Sequence, residues 1–148
     1  WTDKLHDSKD LPKVKVISAE QEKRLGIGTI AIPSPFEVDS IMKTVPRGSI
    51  ITINGIRKRI AKAHDATIGC PINTGIFTWI AVNAADEAFK EGKDQTPYWR
   101  TLKEGGIINE KYPEGLEGQA MRLEEEGHIV IQKGKKWVVA DWEETIVE

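Results

Sequence analysis

Few side chains in this 148-residue chain could make or break a covalent bond. The one thiol, Cys70, precedes Pro71 at the start of a predicted helix, where the positive end of the helix dipole can hold a thiolate. An isolated cysteine is more commonly a small buried apolar group, and that is the reading adopted for Cys70. One cysteine excludes an internal disulfide, and its placement among the scattered His6, His64 and His128 gives no spacing that assembles a zinc site. Neither metal nor cofactor is therefore expected. His64 and His128 fall near a helix end and a strand start, where capping or surface roles suit them better than catalysis.

Residues suited to non-covalent recognition are more numerous. A net charge of -2 argues against coating nucleic acid by bulk electrostatics. The charges are segregated, however. Between Ile41 and Ile72 stand Lys43, Arg47, Arg57, Lys58, Arg59 and Lys62 against the single acid Asp65, while acids gather at Asp86 to Glu91 and Glu124 to Glu126. An acidic protein can thus carry one basic face.

The elements that must position these groups follow from periodicity and punctuation. Ser34-Pro35-Phe36-Glu37 has capping-box spacing with proline at the first helical position. Phe36, Val38, Ile41, Met42 and Val45 continue it as an apolar stripe that stops at Pro46-Arg47-Gly48. Ser49 to Thr52 reads as a short strand, and Asn54 as the cap of a helix reaching about His64. Asp65 to Pro71 is a turn, after which a second helix begins near Asn73 or Thr74 and runs toward Lys90. Two helices joined by a short turn outline a helix-turn-helix. Gly105-Gly106 marks a tight turn, Pro113 opens a helix with Leu116, Ala120 and Leu123 on one face, and Gly127 ends it. His128 to Gln132 and Lys136 to Ala140 flank Lys133-Gly134-Lys135 as a β-hairpin. Residues 1-28 lack sustained periodicity and are expected to form an arm, with one domain over 29-148. No apolar run approaches the roughly 18 residues of a membrane span, and the polar amino end is not signal-like, so a cytoplasmic protein is expected.

Three pieces in this order resemble the DNA-binding domain of the O6-alkylguanine-DNA alkyltransferases and their cysteine-less relatives, the alkyltransferase-like proteins. Val45-Pro46-Arg47-Gly48-Ser49-Ile50-Ile51-Thr52 resembles the Val-Pro-x-Gly-x-Val-x-Thr approach to that family's helix-turn-helix. Thr96-Pro97-Tyr98-Trp99-Arg100, followed by a glycine turn, stands where the family has Pro-Cys-His-Arg. Gly115-Leu116-Glu117, continuing to Leu123-Glu124-Glu125-Glu126-Gly127, is similar to its Gly-Leu helix ending in Glu-Gly. The resemblance covers roughly Pro35 to Gly127. It implies a mixed α/β, mainly α, winged helix-turn-helix domain with a carboxy-terminal hairpin, whose second helix enters the minor groove.

The resemblance also implies what the site would do. Tyr98 replaces the family's nucleophilic cysteine and Trp99 its histidine; a phenol near pKa 10 is no thiolate and an indole cannot shuttle a proton. The expected protein is not an enzyme but binds double-stranded DNA, including alkylated guanine, and hands the lesion to a repair-protein partner. Pro97, Tyr98, Trp99 and Arg100 are its base-pocket candidates. The two rings either line a pocket for an extruded base, where stacking is worth about 1 to 3 kcal/mol, or fill that pocket as core. Arg100 is expected to tie the motif to the rest of the domain. Arg47, Thr52, Asn54, Lys58 and Lys62 are candidates for phosphate contact, and Asn73, Thr74, Thr78 and Asn83 for facing the groove from the second helix. That helix is apolar nearly all round, which leaves as the alternative a winged helix repurposed for protein interaction without DNA.

Overall fold

Ser34 begins the first long helix as the sequence predicts: its hydroxyl accepts the backbone N–H of Glu37 at 3.1 Å, with Pro35 in the first turn. The Glu37 carboxylate does not complete the box; it meets His64 Nε2 at 2.6 Å instead. The computed structural model describes residues 1-147. In chain order it comprises α1 (Thr2–His6), β1 (Lys13–Val16), α2 (Glu22–Leu25), β2 (Thr29–Ile32), α3 (Pro35–Lys43), β3 (Ile51–Thr52), α4 (Ile53–Ala63), β4 (Ile68–Gly69) and α5 (Pro71–Lys90). A 3-10 turn (Tyr98–Arg100) then leads to β5 (Thr101–Leu102), α6 (Gly115–Glu125), the hairpin β6 (Val130–Lys133) and β7 (Lys136–Val139), and α7 (Trp142–Thr145). No helix among the described residues is long and apolar enough to cross a membrane.

The helices α3, α4 and α5 enclose one core, built on Val38, Met42, Ile56, Ile60, Ala81 and Val82, all essentially without solvent exposure. Tyr98 enters it from the 3-10 turn and Leu5 from α1. A second cluster, Ile50, Leu102, Ile108, Ala120, Leu123 and Val139, joins α6 to the hairpin. Val38 and Met42 are fully buried as expected, whereas Phe36 lies 47% exposed on the outer side of α3.

Three small sheets fasten these layers. The pair β3–β5 is parallel, Ile51 opposite Thr101, and β6–β7 is an antiparallel hairpin, Val130 opposite Val139. The third sheet has the order β1-β2-β4, antiparallel then parallel. Residues 1-28, expected as an arm, thus supply α1, α2 and the strand β1, which pairs with β2 across α2. The stretch expected as a plain turn between the two central helices contains β4, whose Gly69 faces Ala31. Gly69 lies so close to α4 that a Cβ there would stand 2.4 Å from the Arg57 carbonyl oxygen. Only glycine lets the strand pass.

Candidate nucleic-acid interface

The basic stretch folds onto α4 and its approaches. Lys58 and Lys62 are exposed, one turn apart. Arg57 is held: its Nε donates to Gly69 O and its Nη1 to Asn54 Oδ1, both at 2.9 Å, which ties α4 to the strand that starts α5. Arg47 is exposed, with Nη2 donating to the Glu125 carbonyl at 2.8 Å, so the turn before β3 is fastened to the end of α6.

Two expectations at the start of α4 require correction. Thr52, not Asn54, is the cap: its hydroxyl accepts the Gly55 N–H at 3.2 Å, and its 2% exposure leaves nothing to reach a phosphate. Asn54 lies in the first turn, with its backbone N–H donating to Glu104 Oε1 at 2.9 Å and its side chain occupied by Arg57. A carboxylate from the turn after β5 thus already meets the amino end of α4, a favourable place for negative charge.

The face of α5 also differs from expectation. Thr74 is 0% and Thr78 2% exposed, so neither faces solvent or a groove. The Thr78 hydroxyl donates to the Thr74 carbonyl at 2.8 Å, which lets threonine enter a core as a small, nearly apolar group. Asn73 accepts from the Cys70 thiol at 3.1 Å, and Asn83 donates to the Trp79 carbonyl at 2.9 Å; both remain half-exposed. What α5 turns outward instead is Ile72, Ile76 and Trp79. Cys70 is buried, as read from the sequence.

At the 3-10 turn Pro97 precedes a ring that is 1% exposed. Tyr98 donates its hydroxyl to the Pro113 carbonyl at 3.1 Å and stands edge-on to Trp99 and Tyr112 at 5.6 and 5.7 Å. Burial, then the nearby charge of Glu114, pushes this phenol well above its ordinary pKa, so it stays a neutral donor. Trp99 donates Nε1 to Glu126 Oε2 at 2.9 Å and lies under the Arg122 guanidinium at 4.5 Å. Arg100 binds the same carboxylate through Nε at 2.9 Å and Nη2 at 2.8 Å, and reaches the Val45 carbonyl with Nη1 at 2.8 Å. It therefore ties the motif to the approach of α4 and to the end of α6. Sequence reading missed Glu126 as the hub of this network, although Glu126-Gly127 lay within the third motif.

Beside Pro113, whose carbonyl accepts the Tyr98 hydroxyl, the surface dips into a depression of about 440 Å³, lined by Asn83, Asp86, Phe89 and Lys90 of α5 and by Lys111, Pro113 and Glu114. Glu114 is paired with Arg122 at 2.9 Å. None of the base-pocket candidates lines this depression; Tyr98 reaches its wall only through the hydrogen bond to the Pro113 carbonyl. Among the described residues no group of three His, Cys, Asp or Glu side chains is placed to hold a metal.

Paired helices on a short connection, a hairpin beyond α6 and the buried arginine tie together define a mixed α/β protein of helix-turn-helix type. The same fold is found in S. pombe Atl1, solved in complex with damaged DNA containing O6-carboxymethylguanine, at a TM-score of 0.52 and 20% identity, covering 77% of this chain and 94% of that one. It is found also in S. pombe ATL in complex with DNA, at a TM-score of 0.51 and the same identity and coverage. The fold implied by the three sequence motifs is therefore the fold of this chain. No family model and no curated protein sequence matches it.

Proposed function

We propose that this protein binds double-stranded DNA without catalysing a reaction on it, as an alkyltransferase-like protein does. The observation that carries the reading is the setting of α4 and α5: Lys58 and Lys62 are exposed on the first helix, and the second carries no charged residue from Pro71 to Ala85. Phosphate attraction then comes from one helix while the other can lie against uncharged groove surface. Both S. pombe structures that share the fold are complexes with DNA. The chemistry at the motif supports a binder: a neutral, buried phenol and a hydrogen-bonded indole provide neither nucleophile nor base.

A second reading, recognition of alkylated guanine for repair, is favoured by the depression beside Pro113, where Phe89 is 53% exposed and could stack on an extruded base. In the first reading the Tyr98 ring keeps bases out and DNA is bound without extrusion. One titration separates them: fluorescence anisotropy of a duplex with one O6-methylguanine beside its unmodified twin, at two salt concentrations. Equal, salt-sensitive binding supports the plain DNA binder, and preference for the modified duplex supports the lesion reader. Failure to bind either in the micromolar range would sink both and leave a helix-turn-helix turned to protein interaction.

A further inference from the structure

We infer that the outer edge of β1 is a docking site for an extended acidic segment of a partner protein, which joins the β1-β2-β4 sheet as a further strand. The register of the sheet shows which backbone groups are open. Ile17 N–H donates to the Gly28 carbonyl at 2.9 Å, so Lys15 and Lys13, two and four residues back, hold the hydrogen-bonded pairs with β2. Val14 and Val16 fall between them and direct their N–H and C=O groups away from β2. The far side of β2 agrees. The Ala31 carbonyl, opposite Val14, accepts from Cys70 N–H, and the Thr29 N–H, opposite Val16, donates to the Thr67 hydroxyl, both at 2.9 Å. β1 stands at the end of the strand order, and no isolated bridge among the described residues reaches it.

A row of unpaired backbone groups is a template for another strand. The side chains state what that strand must carry. Val14 is 44% and Val16 80% exposed, and they share one face of β1, while Lys13 and Lys15 share the other. Ile27, 81% exposed, lies at the same end of the sheet as Val16. Cross-strand neighbours interact on each face separately. The matching segment therefore alternates an apolar residue, beside the valines, with an acid, beside the lysines. Lys13 is already engaged by Asp10 at 2.7 Å, which leaves the exposed Lys15 as the main selector of charge.

Lysine on an edge strand also guards against pairing with its own kind. Antiparallel pairing that uses Val14 and Val16 of two copies of this chain would put Lys15 opposite Lys15, a destabilising pair. The charge that repels a copy attracts an acidic segment. This edge is two strands removed from β4, whose Gly69 packs on α4. A segment held here leaves Lys58 and Lys62 open, and its docking does not depend on DNA.

The experiment uses the full ¹⁵N-labelled chain with a capped peptide of alternating glutamate and valine, and an alternating lysine-valine peptide as control. Amide hydrogen exchange at Val14 and Val16 should be fast in the protein alone and slow by at least about tenfold at saturating glutamate-valine peptide. The lysine-valine peptide should leave it unchanged. Lys15→Glu, at an exposed side chain, should weaken the glutamate-valine peptide by about fivefold or more and let the lysine-valine peptide bind. Val16→Pro removes an N–H that β2 does not use, so it should shift the Tm by less than about 2 °C and abolish peptide binding. Slow exchange at Val14 and Val16 in the protein alone would overturn the inference, because the edge would already be covered. Equal binding of the two peptides, unchanged binding in Val16→Pro, or no binding of the glutamate-valine peptide at millimolar concentration would overturn it too. A concentration-dependent dimer that Val16→Pro abolishes would give the edge to a second copy instead.

Discussion

Removal of the Glu126 carboxylate should be among the most damaging single changes in the protein. Its side chain is 3% exposed and that of its partner Arg100 is 14% exposed. It accepts two close N–H groups from Arg100 and one from Trp99, all within 2.9 Å. In Glu126→Ala the guanidinium keeps only the Val45 carbonyl, and the Trp99 N–H loses its acceptor. Breaking a buried pair by removing one partner costs about 3 to 5 kcal/mol, a large part of the roughly 5 to 15 kcal/mol that holds a domain folded. At about 3 °C per kcal/mol for a chain of this size, the Tm should fall by about 10 °C or more. Urea denaturation with an unchanged slope would show the loss as one of stability. Replacing both partners with apolar residues, Arg100→Met with Glu126→Leu, should cost less than Glu126→Ala alone, because no charge is then stranded. Burial pushes the Glu126 pKa up, but hydrogen bonds from Arg100 and Trp99 and the charge of Arg100 outweigh it and hold the group below its ordinary 4.5. Its contribution is therefore complete above pH 4.5 and lost as pH falls through the folded value, so variant and parent should converge in acid. A loss below about 1 kcal/mol at neutral pH would refute the claim that this carboxylate is the hub of the motif.

His128 gives a separate pH signature. Burial, partly offset by the charge of Glu126, holds its pKa below 6.5, and its Nε2 has no partner. Stability should be flat above pH 6.5 and decline as pH falls below it, because the unfolded chain then binds the proton first; thermal melts of His128→Gln across this range should lack that component. Tyr98→Phe removes the hydroxyl that meets the Pro113 carbonyl and should cost about 1 kcal/mol in urea denaturation while leaving DNA affinity unchanged. Mass spectrometry after incubation with O6-alkylguanine DNA should find no alkyl adduct on Cys70, which is 7% exposed and donates its S–H to Asn73; an adduct there would reverse the non-enzymatic reading.

What the sequence carried clearly was local chemistry. The Ser34-Pro35 start of α3, the stop at Gly127 and the lysine-glycine turn of the hairpin each rest on a side chain or φ value that a few adjacent residues dictate. The β1-β2-β4 sheet rests on none of these. Its parallel strand is two residues long, too short for any alternation, and its partner lies 38 positions away, from Ile30 to Ile68. The inward turn of Thr74 and Thr78 was hidden for a related reason. A helix apolar on every side offers no moment by which to orient it, so packing against α3 and α4 decides which side is buried. At α4 two capping residues stood within one turn, and the strand register at Thr52 selected between them. That Arg100 ties the motif to the rest of the domain was visible only through the family resemblance, and its partner Glu126 was not visible at all, since nothing local links residues 26 positions apart.

The parallel pair β3–β5 has a consequence for how this chain tolerates change. Ile51-Thr52 and Thr101-Leu102 are joined side by side, so everything between them, α4, β4, α5 and the segment through the 3-10 turn to Arg100, is the body of a ring closed at one neck. The entropy of closing such a ring grows only with the logarithm of its length, about 0.6 kcal/mol for each doubling. Residues added in the exposed stretch from Glu91 to Asp94 would lengthen the circumference at little cost, leaving the neck and both helices in place. A break at the neck would be different in kind, because it would turn a ring with fixed ends into two strands free to drift apart.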